Sequence, residues 1–528
     1  MLAMIGKPFV PGWDQLRPFS PELVLIATIV AVLLAPFFAR RSNAVSALVA
    51  LAGIVIALIS ILATGGQTDF SAADRGMLLV LADPFAVFWK IILYTFVAGI
   101  VLMWFATSRA NMHEGDGPEF FALIVGATTG MSLMASTSNL LMLVVAVELA
   151  SLPSYVLAGF RKTHRVGAEA SLKYVLFGAA TSSIMIYGLS MLYGLYGTLQ
   201  IEQLDAQIGQ SGGGVPLMIG IAGLIVGLGF KISAVPLHFW CPDVFEGAAV
   251  DVSAFLSVAS KGAGLMLLTR AMMLLADGLG YDPAAGGHLL WTTAVVIGVL
   301  GAVTATVGNT AAYFQTNIKR LLAYSSIAHA GYMLCAVSLL YRRDAGDAVP
   351  AGAAAQALLL YLAVYLFMNL GAFAVAGLIH RETGSESIED YAGMSRRNPL
   401  LAACMAVFMF SLVGLPPFAG FVAKLNVLLV LAQGGGWWWT LVAIIGLNTV
   451  FSLYYYVRVL RVMYLTDSDA PAVRSRPLGT AMVVACAAML VGMFIGVYPL
   501  YETTRSHGQI HTDVRAAARP AMVAEGSR

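Results

Sequence analysis

The sequence PLMIGIAGLIVGLGFKISAVPLHFWCPD, residues 216–243, decides the fold of this chain. Its first part, about twenty residues, is almost entirely apolar and contains one charge, Lys231, and a helix of that length can cross a bilayer. Pro236 and Pro242 follow, and a proline inside a helix removes one backbone donor and clashes with the preceding turn. The sequence therefore predicts a membrane-spanning helix that breaks beside a buried lysine.

The whole chain shares this apolar character. Hydrophobic residues make up 59% of its 528 residues, charged residues make up 11%, and the mean hydropathy is +0.82. This composition excludes a soluble globular protein. Runs of about 20 apolar residues predict an all-α polytopic membrane protein with about fourteen transmembrane helices. These helices begin near Leu23, Val45, Phe85, Phe120, Leu140, Ala168, Pro216, Val252, Leu289, Lys319, Ala354, Pro399, Trp437 and Leu478.

The sequence offers no ligand set for a cofactor. Its four cysteines form no CxxC pair, and no His/Cys spacing suits zinc or an iron–sulfur cluster. No glycine-rich fingerprint follows a strand and opens a helix, as dinucleotide sites require. The net charge of +2 does not indicate a nucleic-acid partner. We therefore expect no cofactor, no metal and no nucleic acid bound to this chain.

Lysine and arginine are unevenly distributed among the loops, and this predicts the orientation in the membrane. One set of loops is rich in positive charge, as at Arg161, Lys162 and Arg165, whereas the segment from Glu202 to Gly214 has none. Positive loops face the cytoplasm, so both termini are predicted on the periplasmic side. Lys90, early in the third span, is expected at the membrane interface.

Four ionisable residues, Glu148, Lys231, Lys261 and Lys424, lie in the middle of apolar spans. A charge at such depth costs roughly 2.5 to 3.5 kcal/mol and is tolerated where it faces protein or water. Intramembrane charges of this kind usually mark an ion pathway. Three lysines and one glutamate indicate a proton path.

The twelfth predicted span breaks like the seventh, because it meets the segment GLPPFAG, residues 414–420, before it reaches Lys424. Broken helices in corresponding positions of two halves are typical of inverted-repeat transporters. Spans four to eight and nine to thirteen are predicted to form two inverted five-helix repeats, with Lys231 and Lys424 as pseudo-symmetric partners. The predicted parts are residues 1–118 with helices 1–3, 119–276 with the first repeat, 277–465 with the second repeat, and 466–528 with the final helix and a polar tail.

Polar residues recur at helical spacing on the neighbouring spans. Residues three or four apart share a helix face, so each set is predicted to form a stripe that can hold water at mid-membrane. The stripes are Ser253, Ser257 and Lys261; Ser325, His329 and Tyr332; Tyr361, Tyr365 and Asn369; and Asn448, Ser452 and Tyr456.

Six longer motifs occur in order from the fifth span to the twelfth. They are VELASLPSYVLAGF at 147–160, AEASLKY at 168–174, GFKISAVPLHFWCPDVFEGA at 229–248, SVASKGAG at 257–264, NIKRLLAYSSIAHAGY at 317–332 and GLPPFAGFVAK at 414–424. Together they resemble the antiporter-like membrane subunits of bacterial complex I, the NADH:quinone oxidoreductase. The resemblance covers spans four to thirteen and, because several long motifs recur together, it is specific.

Among these subunits the resemblance is to the N type. The chain ends soon after the fourteenth span without a long lateral helix, unlike subunit L, and it has Lys424 where subunit M has a glutamate. One departure is Cys241, at a position where the family pattern has threonine.

The resemblance implies proton-transfer roles for the buried charges. Glu148 matches the fifth-helix glutamate, and Lys231 matches the seventh-helix lysine that pairs with it. Lys261 matches the central eighth-helix lysine, and Lys424 matches the twelfth-helix lysine toward the far exit. Further candidate relay positions are Lys173, His329 and His238.

The resemblance also implies a larger assembly. The chain is expected to be a subunit of a proton-translocating oxidoreductase that couples quinone reduction in partner subunits to proton transfer and carries out no redox chemistry itself. NAD, FMN, iron–sulfur clusters and quinone are expected in those partners, which are K-, M-, J- and A-like membrane subunits and, indirectly, the peripheral redox arm. The expected location is the bacterial inner membrane, in contact with lipid.

Alternatives stay open at this point. The chain could be a subunit of an Mrp-like cation/proton antiporter, or a non-conducting membrane scaffold. Glu148 and Lys231 could form a static buried ion pair. Lys424 and Lys173 could extend to the membrane surface, and His329 could be a core histidine.

Overall fold

A computed structural model describes residues 16–38, 42–64, 79–108, 112–161, 165–201, 203–204, 207–208, 214–278, 287–341, 351–474 and 476–508. Within these ranges the regular structure is helical, and extended pairing is limited to isolated bridges such as the one between Val80 and Thr137. The predicted polar tail after residue 508 lies outside the described residues.

The first half of the chain contains helices α1 to α8. Their bounds are α1 Ser20–Phe38, α2 Asn43–Thr64, α3 Pro84–Thr107, α4 Gly117–Ser136, α5 Leu140–Ala158, α6 Arg165–Tyr196, α7a Gly214–Ile232, α7b Trp240–Gly247 and α8, which joins Val250–Phe255, Leu256–Ser260 and Lys261–Gly278.

The second half contains helices α9 to α15. Their bounds are α9 Gly287–Ala312, α10 Ile318–Val337, α11 Ala351–Thr383, α12a Pro399–Val413, α12b Ala419–Gly434, α13 Trp438–Leu465, α14 Pro477–Ile495 and α15 Val497–Gly508.

The described residues contain 13 helices that are long and apolar enough to cross a membrane. The two halves of α12 are each shorter than a full span, and together they supply one more. The prediction of an all-α polytopic membrane protein with about fourteen transmembrane helices is therefore confirmed. The chain is a multi-pass membrane protein.

Both predicted breaks are present. Between α7a and α7b the chain turns at Ser233, which has a left-handed φ of 62° that is uncommon for a residue other than glycine. The helix α12a ends at Gly414, which has a φ of 86°. Glycine adopts this conformation without a steric penalty, and a Cβ here would also lie 2.8 Å from Lys424 Cδ. The break in α12 therefore needs glycine both for its turn and for the lysine side chain beside it.

Burial separates central helices from peripheral ones. The most apolar windows of α8, α10 and α11 are 100%, 94% and 94% buried inside the molecule, whereas that of α14 is 28% buried. The peripheral helices α1, α6 and α13 are each 33% buried in the same measure. The central helices α8, α10 and α11 therefore form the interior in which intramembrane charges can be shielded from lipid.

A π-helical turn at Leu256–Ser260 precedes Lys261 within α8. A π-turn holds more residues per turn than an α-helix, and such turns are frequent at functional sites. The predicted α-helical stripe of Ser253, Ser257 and Lys261 therefore does not hold over this stretch. The Ser253 hydroxyl donates to Phe245 O at 2.8 Å and the Ser257 hydroxyl donates to Ala254 O at 2.7 Å, so backbone carbonyls satisfy both.

Candidate functional site

The three predicted mid-membrane lysines are buried. Lys231, Lys261 and Lys424 expose 2%, 1% and 4% of their surface, and Glu148 is half-buried. Because a buried ammonium loses its hydration, each lysine needs a compensating contact from the protein. The structure supplies a different contact to each one.

Lys231 lies in the last turn of α7a, directly before the break. Its Nζ is 5.5 Å from the centroid of the Tyr155 ring on α5 and 5.9 Å from that of Phe230. Aromatic faces attract ammonium groups at this range. Lys231 is therefore compensated mainly by aromatic rings rather than by a close hydrogen bond.

Glu148 interacts electrostatically with Lys231 but does not touch it. The Oε1 atom of Glu148 is buried and has no hydrogen-bond partner in the part of the chain that the structure describes. Among the described ion pairs with N···O distances up to 4.0 Å, none joins Glu148 to Lys231. The structure therefore shows an open pair, without a direct hydrogen bond between Glu148 and Lys231.

Lys261 begins the α-helical part of α8, and its Nζ donates to Ser326 Oγ on α10 at 2.5 Å. One turn further along α8, Gly264 packs directly against Lys231, because a Cβ there would lie 3.1 Å from Lys231 Cβ. The place where Lys231 of α7a packs against α8 is therefore one helical turn away from Lys261. The sequence analysis did not select Ser326, the nearest polar neighbour of Lys261.

Lys424 lies on α12b and reaches back across the break. Its Nζ donates to Val413 O, at the carbonyl end of α12a, at 2.9 Å, and lies 4.9 Å from the centroid of the Tyr332 ring. The carbonyl end of a helix carries partial negative charge, which stabilises a cation. Lys424 is therefore bound in the interior, and the expectation that it could extend to the membrane surface is wrong.

His329 on α10 lies between two of the lysines. Its Nδ1 is 2.7 Å from the Tyr361 hydroxyl, and its Nε2 is 3.3 Å from the Tyr456 hydroxyl. Both Lys261 and Lys424 interact electrostatically with the imidazole. His329 is therefore part of a buried polar network in which both ring nitrogens have a tyrosine hydroxyl as partner.

The helix α10 places three polar side chains in a row between Lys261 and Lys424. Ser326, His329 and Tyr332 are spaced three residues apart, so they lie along one side of the helix. At 1.5 Å per residue the row covers about 9 Å along the helix axis. Ser326 contacts Lys261 at one end, and Tyr332 contacts Lys424 at the other. We call these three residues the α10 row.

Asn309 on α9 binds Tyr332, the residue of the α10 row that contacts Lys424. Its side-chain amide donates to the Tyr332 hydroxyl at 2.7 Å and to Asn448 Oδ1 at 3.1 Å, and its Oδ1 accepts from the Tyr455 hydroxyl at 2.9 Å. The sequence analysis did not select Asn309.

Two further residues of the α7 break lie near Lys261. His238 is 7% exposed, interacts electrostatically with Lys261, and its Nδ1 has no hydrogen-bond partner among the described residues. Cys241, the departure from the family pattern, is fully buried and also interacts with Lys261. The structure thus brings the predicted relay candidate His238 to the side of the site, but as a neighbour of Lys261 rather than a member of the α10 row.

Lys173 belongs to a different, half-exposed network. Its Nζ forms ion pairs with Glu169 at 2.9 Å and with Asp243 of α7b at 2.8 Å. Arg320 of α10 also donates to Asp243 and to Glu246, at 2.7 Å each. These five residues, the Asp243 network, connect α6, α7b and α10 at the end of the bundle. Lys173 is thus away from the buried lysines, and 40% of its side chain is exposed.

Lys90 does not extend to the membrane surface as expected, because its side chain is buried in the protein. It exposes 1% of its surface and pairs with Glu22 at 2.7 Å. The carboxylate of Glu22, contributed by α1, compensates the charge inside the bundle. The sequence analysis missed Glu22 because it lies in the first turn of its span, where an acidic residue is ordinary.

The described residues contain no group of three or more His, Cys, Asp or Glu side chains that could hold a metal ion. The four cysteines are buried and unpaired with one another.

Two features define an antiporter-like ion-transfer subunit of a membrane complex: two broken helices, each with a buried lysine beside the break, and a buried polar row between Lys261 and Lys424. Residues 137–452 match the family described as "NADH:quinone oxidoreductase/Mrp antiporter, TM". NADH-quinone oxidoreductase subunit N from Anaeromyxobacter sp. strain Fw109-5 is 40% identical, over 96% of this chain and 99% of that protein. This chain belongs to the family of NADH-quinone oxidoreductase subunit N.

Solved structures agree on the fold. A chain of respiratory complex I from Thermus thermophilus, solved with bound aureothin, is 30% identical with a TM-score of 0.73 and covers 91% of this chain and 98% of its own. A chain of the Mrp complex from Dietzia sp. DQ12-45-1b has a TM-score of 0.78, with coverage of 94% and 98%, but is 19% identical. The Mrp likeness therefore concerns the fold alone. The family resemblance predicted from the motifs is confirmed.

Proposed function

We propose that this chain is the proton-translocating membrane subunit of a bacterial NADH:quinone oxidoreductase, and that protons move along Glu148, Lys231, Lys261 and Lys424. The observation that carries this proposal is the α10 row, which joins Lys261 to Lys424 through Ser326, His329 and Tyr332 inside the molecule. A scaffold has no need for buried lysines linked by a row of hydroxyl and imidazole groups, because intramembrane charges are costly.

The compensation of the three lysines suits reversible proton binding. Among the described residues, none of the three forms an ion pair with a carboxylate within 4.0 Å. Aromatic rings, a serine hydroxyl and a backbone carbonyl compensate them instead. Lys261 and Lys424 are contacted by such neutral groups, so each can give up its proton without leaving a directly paired carboxylate uncompensated in the bundle. By contrast, Lys319 is buried and paired with Glu386 at 2.7 Å.

The open Glu148–Lys231 pair is the proposed switch. An opposite charge at about 4 Å in an effective dielectric near 20 is worth roughly 4 kcal/mol, and at about 7 Å it is worth roughly 2.4 kcal/mol. The difference is comparable with the roughly 2.3 kcal/mol that a proton meets across 100 mV. Movement of Glu148 toward or away from Lys231 therefore changes the proton affinity of Lys231 enough to direct transfer.

The proposed path follows the contacts. When the Glu148–Lys231 pair is loose, Lys231 releases its proton toward Lys261, which packs one helical turn away across Gly264. Ser326 and His329, with the tyrosine hydroxyls on His329, connect Lys261 to the region of Lys424. Lys424 then releases a proton to the periplasmic side. His238 lies beside Lys261, and its imidazole can accept and release a proton, so it can take part in the same transfer.

The proposal includes orientation and partners. Both termini lie in the periplasm, and the Asp243 network lies at the cytoplasmic end, as the loop charges of the sequence support. NAD, FMN, iron–sulfur clusters and quinone are held by partner subunits, and the membrane neighbours are K-, M-, J- and A-like subunits. The names of the relatives and their similarity over nearly the full length support this assembly.

The test is NADH-driven proton pumping in bacterial membranes that carry Lys231→Ala. We expect pumping to be lost while NADH oxidation by an artificial acceptor, the control for assembly, is retained. Lys173→Ala is the matched control, because it removes a lysine of the half-exposed Asp243 network and should leave pumping largely intact. Normal pumping by Lys231→Ala would contradict the proposed path and favour a scaffold.

A further inference from the structure

The molecule contains a second glutamate–lysine pair, outside residues 137–452, which match the antiporter family. Glu22 on α1 and Lys90 on α3 are 2.7 Å apart and expose 4% and 1% of their surface. Both lie before residue 137, where the family match begins. The pair has the same chemistry as Glu148 and Lys231, but it is closed.

The Glu22 carboxylate has an unequal environment. Its Oε1 accepts from Lys90 Nζ and from Ser132 Oγ on α4, the latter at 2.5 Å. Its Oε2 is buried and has no hydrogen-bond partner among the described residues. The Tyr94 hydroxyl lies 2.9 Å from Ser132 Oγ and extends the polar contacts. One carboxylate oxygen is thus fully engaged, and the other is available to carry a proton.

The other helices around the pair contribute little charge. The helix α2, which packs on α1, contains no ionisable side chain between Asn43 and Thr64. On α4, Glu119 is the one charged residue, and it lies in the first turn, at the end opposite to Ser132. Among the described contacts, the ionisable groups that interact with Glu22 are Lys90 and Tyr94 of α3. On the other elements packed around the pair, Arg17 before α1 is exposed, Arg270 of α8 pairs with Asp83, and the ring of His507 on α15 lies 5.3 Å from the ring of Phe88.

The location of the pair separates it from the lysine path but leaves it in contact with that path. Glu22 and Lys90 lie near the starts of α1 and α3, and Ser132 lies near the end of α4, so the pair is close to one membrane surface. Trp89, next to Lys90, packs on Gly262, next to Lys261, because a Cβ at Gly262 would lie 2.2 Å from the Trp89 ring. A change in the position of α3 would therefore change the packing of α8 next to Lys261.

A neighbouring pair shows what a purely structural ion pair looks like here. Arg270 donates to Asp83 Oδ1 at 2.7 Å and to Ala135 O at 2.6 Å, while Asp83 also caps α3 by accepting from Ala86 N at 2.9 Å. Asp83 thus holds two elements together with backbone contacts. Glu22 makes no such cap among the described contacts, and a buried pair is weak evidence for a stabilising role.

We propose that Glu22 and Lys90, with Ser132 and Tyr94, form a second proton-binding site that exchanges protons with the periplasmic side. The Glu22 carboxylate accepts one proton from water at its unpartnered Oε2, its attraction to Lys90 weakens because the negative charge is lost, and Lys90 keeps its own proton. The cluster changes from neutral to a charge of plus one, and release of the same proton restores the closed pair. Its role in turnover, and the side that it faces, rest on the proposed function, whereas proton binding at Glu22 does not.

The experiment uses the intact, purified complex and infrared difference spectra between acidic and neutral buffer. A protonated carboxyl group gives a carbonyl-stretch band that a carboxylate lacks. We expect one such band in the unaltered complex to be lost in Glu22→Gln, which keeps the shape and the hydrogen-bond acceptor, and retained in Asp83→Asn, the matched change at the neighbouring pair. A Glu22→Gln spectrum identical to that of the unaltered complex would overturn the proposal.

A second variant covers the case in which Glu22→Gln does not assemble. Ser132→Ala removes only the hydroxyl that donates to Glu22, so the band should remain and shift in frequency because the carboxyl group loses a hydrogen bond. An unshifted band in Ser132→Ala would likewise count against Glu22. Failure here is distinguishable from failure of the proposed function, because Lys231→Ala is judged by pumping and leaves the Glu22 band unchanged.

Discussion

The two glutamate–lysine pairs of this molecule use the same side chains and show opposite geometry. Glu22 and Lys90 are in contact at 2.7 Å, with Ser132 as a further donor. Glu148 and Lys231 interact without touching, and one oxygen of Glu148 lacks a partner among the described residues. The chemistry of the residues therefore does not decide whether such a pair is open or closed.

The helices that carry the pairs account for the difference. Lys90 lies inside the unbroken helix α3, where neighbouring turns fix its backbone. Lys231 lies in the last turn of α7a, beside a break that begins at Ser233 in left-handed backbone. The end of a helix lacks the following turn that would hold it, so small movements there cost less. A helix break thus supplies the freedom that a switch needs.

The largest expected effect comes from breaking the closed pair. Lys90→Met leaves the Glu22 carboxylate buried without a counter-charge, and loss of one partner of a buried pair costs about 3 to 5 kcal/mol. We expect this variant to lower the temperature at which the subunit is lost from the detergent-solubilised complex. Lys231→Met should lower it less, because Glu148 is half-buried and its pair is already open.

The double variant Glu22→Gln with Lys90→Met is the control for that comparison. It removes both charges and should recover most of the lost thermal stability. If Lys90→Met and Lys231→Met lowered the dissociation temperature equally, the closed geometry would contribute no more to stability than the open one.

A smaller effect is expected from Ser326→Ala, which tests the path beyond the open pair. The variant removes the hydroxyl that accepts from Lys261, and a hydrogen bond to a charged group contributes about 1.5 to 3 kcal/mol. If most of that difference appears in the barrier to transfer, NADH-driven pumping slows by about tenfold or more. Ser257→Ala is the control, because its hydroxyl donates to Ala254 O alone among the described contacts. An unchanged pumping rate in Ser326→Ala would remove the α10 row from the path.

The smallest effect is expected at the half-exposed Asp243 network, which holds α7b against α6 and α10. Asp243→Asn keeps the shape and weakens the ion pairs with Lys173 and Arg320, and exposed pairs of this kind contribute about 0 to 1 kcal/mol each. Salt screens such pairs. We expect a slight loss of pumping, and a weaker dependence of pumping on ionic strength than in the unaltered complex. Pumping measured at low and high salt checks this, and an unaltered salt dependence would contradict it.

The sequence predicts the parts of this molecule that local chemistry determines. Spans follow from apolar length, and both breaks follow from prolines, which interrupt a helix, and from a glycine that permits a left-handed turn, as at Pro236 and Gly414. Lys231, Lys261 and Lys424 stand out because each is a charge in an apolar run. Their burial in the structure confirms that they lie in the interior, while their roles in proton transfer stay a prediction.

The parts that the sequence did not predict depend on contacts between distant segments. Lys90 was assigned to the interface because its partner Glu22 lies on another helix and looks like an ordinary acidic residue in a first turn. Ser326 was passed over for Ser325 because the spacing pattern cannot tell which of two adjacent serines faces α8. The π-turn before Lys261 also changes which side of α8 the lysine occupies, and no residue type in the sequence predicts such a turn.

The most direct measurement is NADH-driven proton pumping by the complex that carries Lys261→Arg. Arginine keeps the positive charge and can still donate to Ser326, but it does not release its proton in proteins. The account predicts an assembled complex with normal NADH oxidation by an artificial acceptor and no proton pumping. Pumping at the normal rate would show that no proton passes through residue 261, and it would contradict the path along Glu148, Lys231, Lys261 and Lys424.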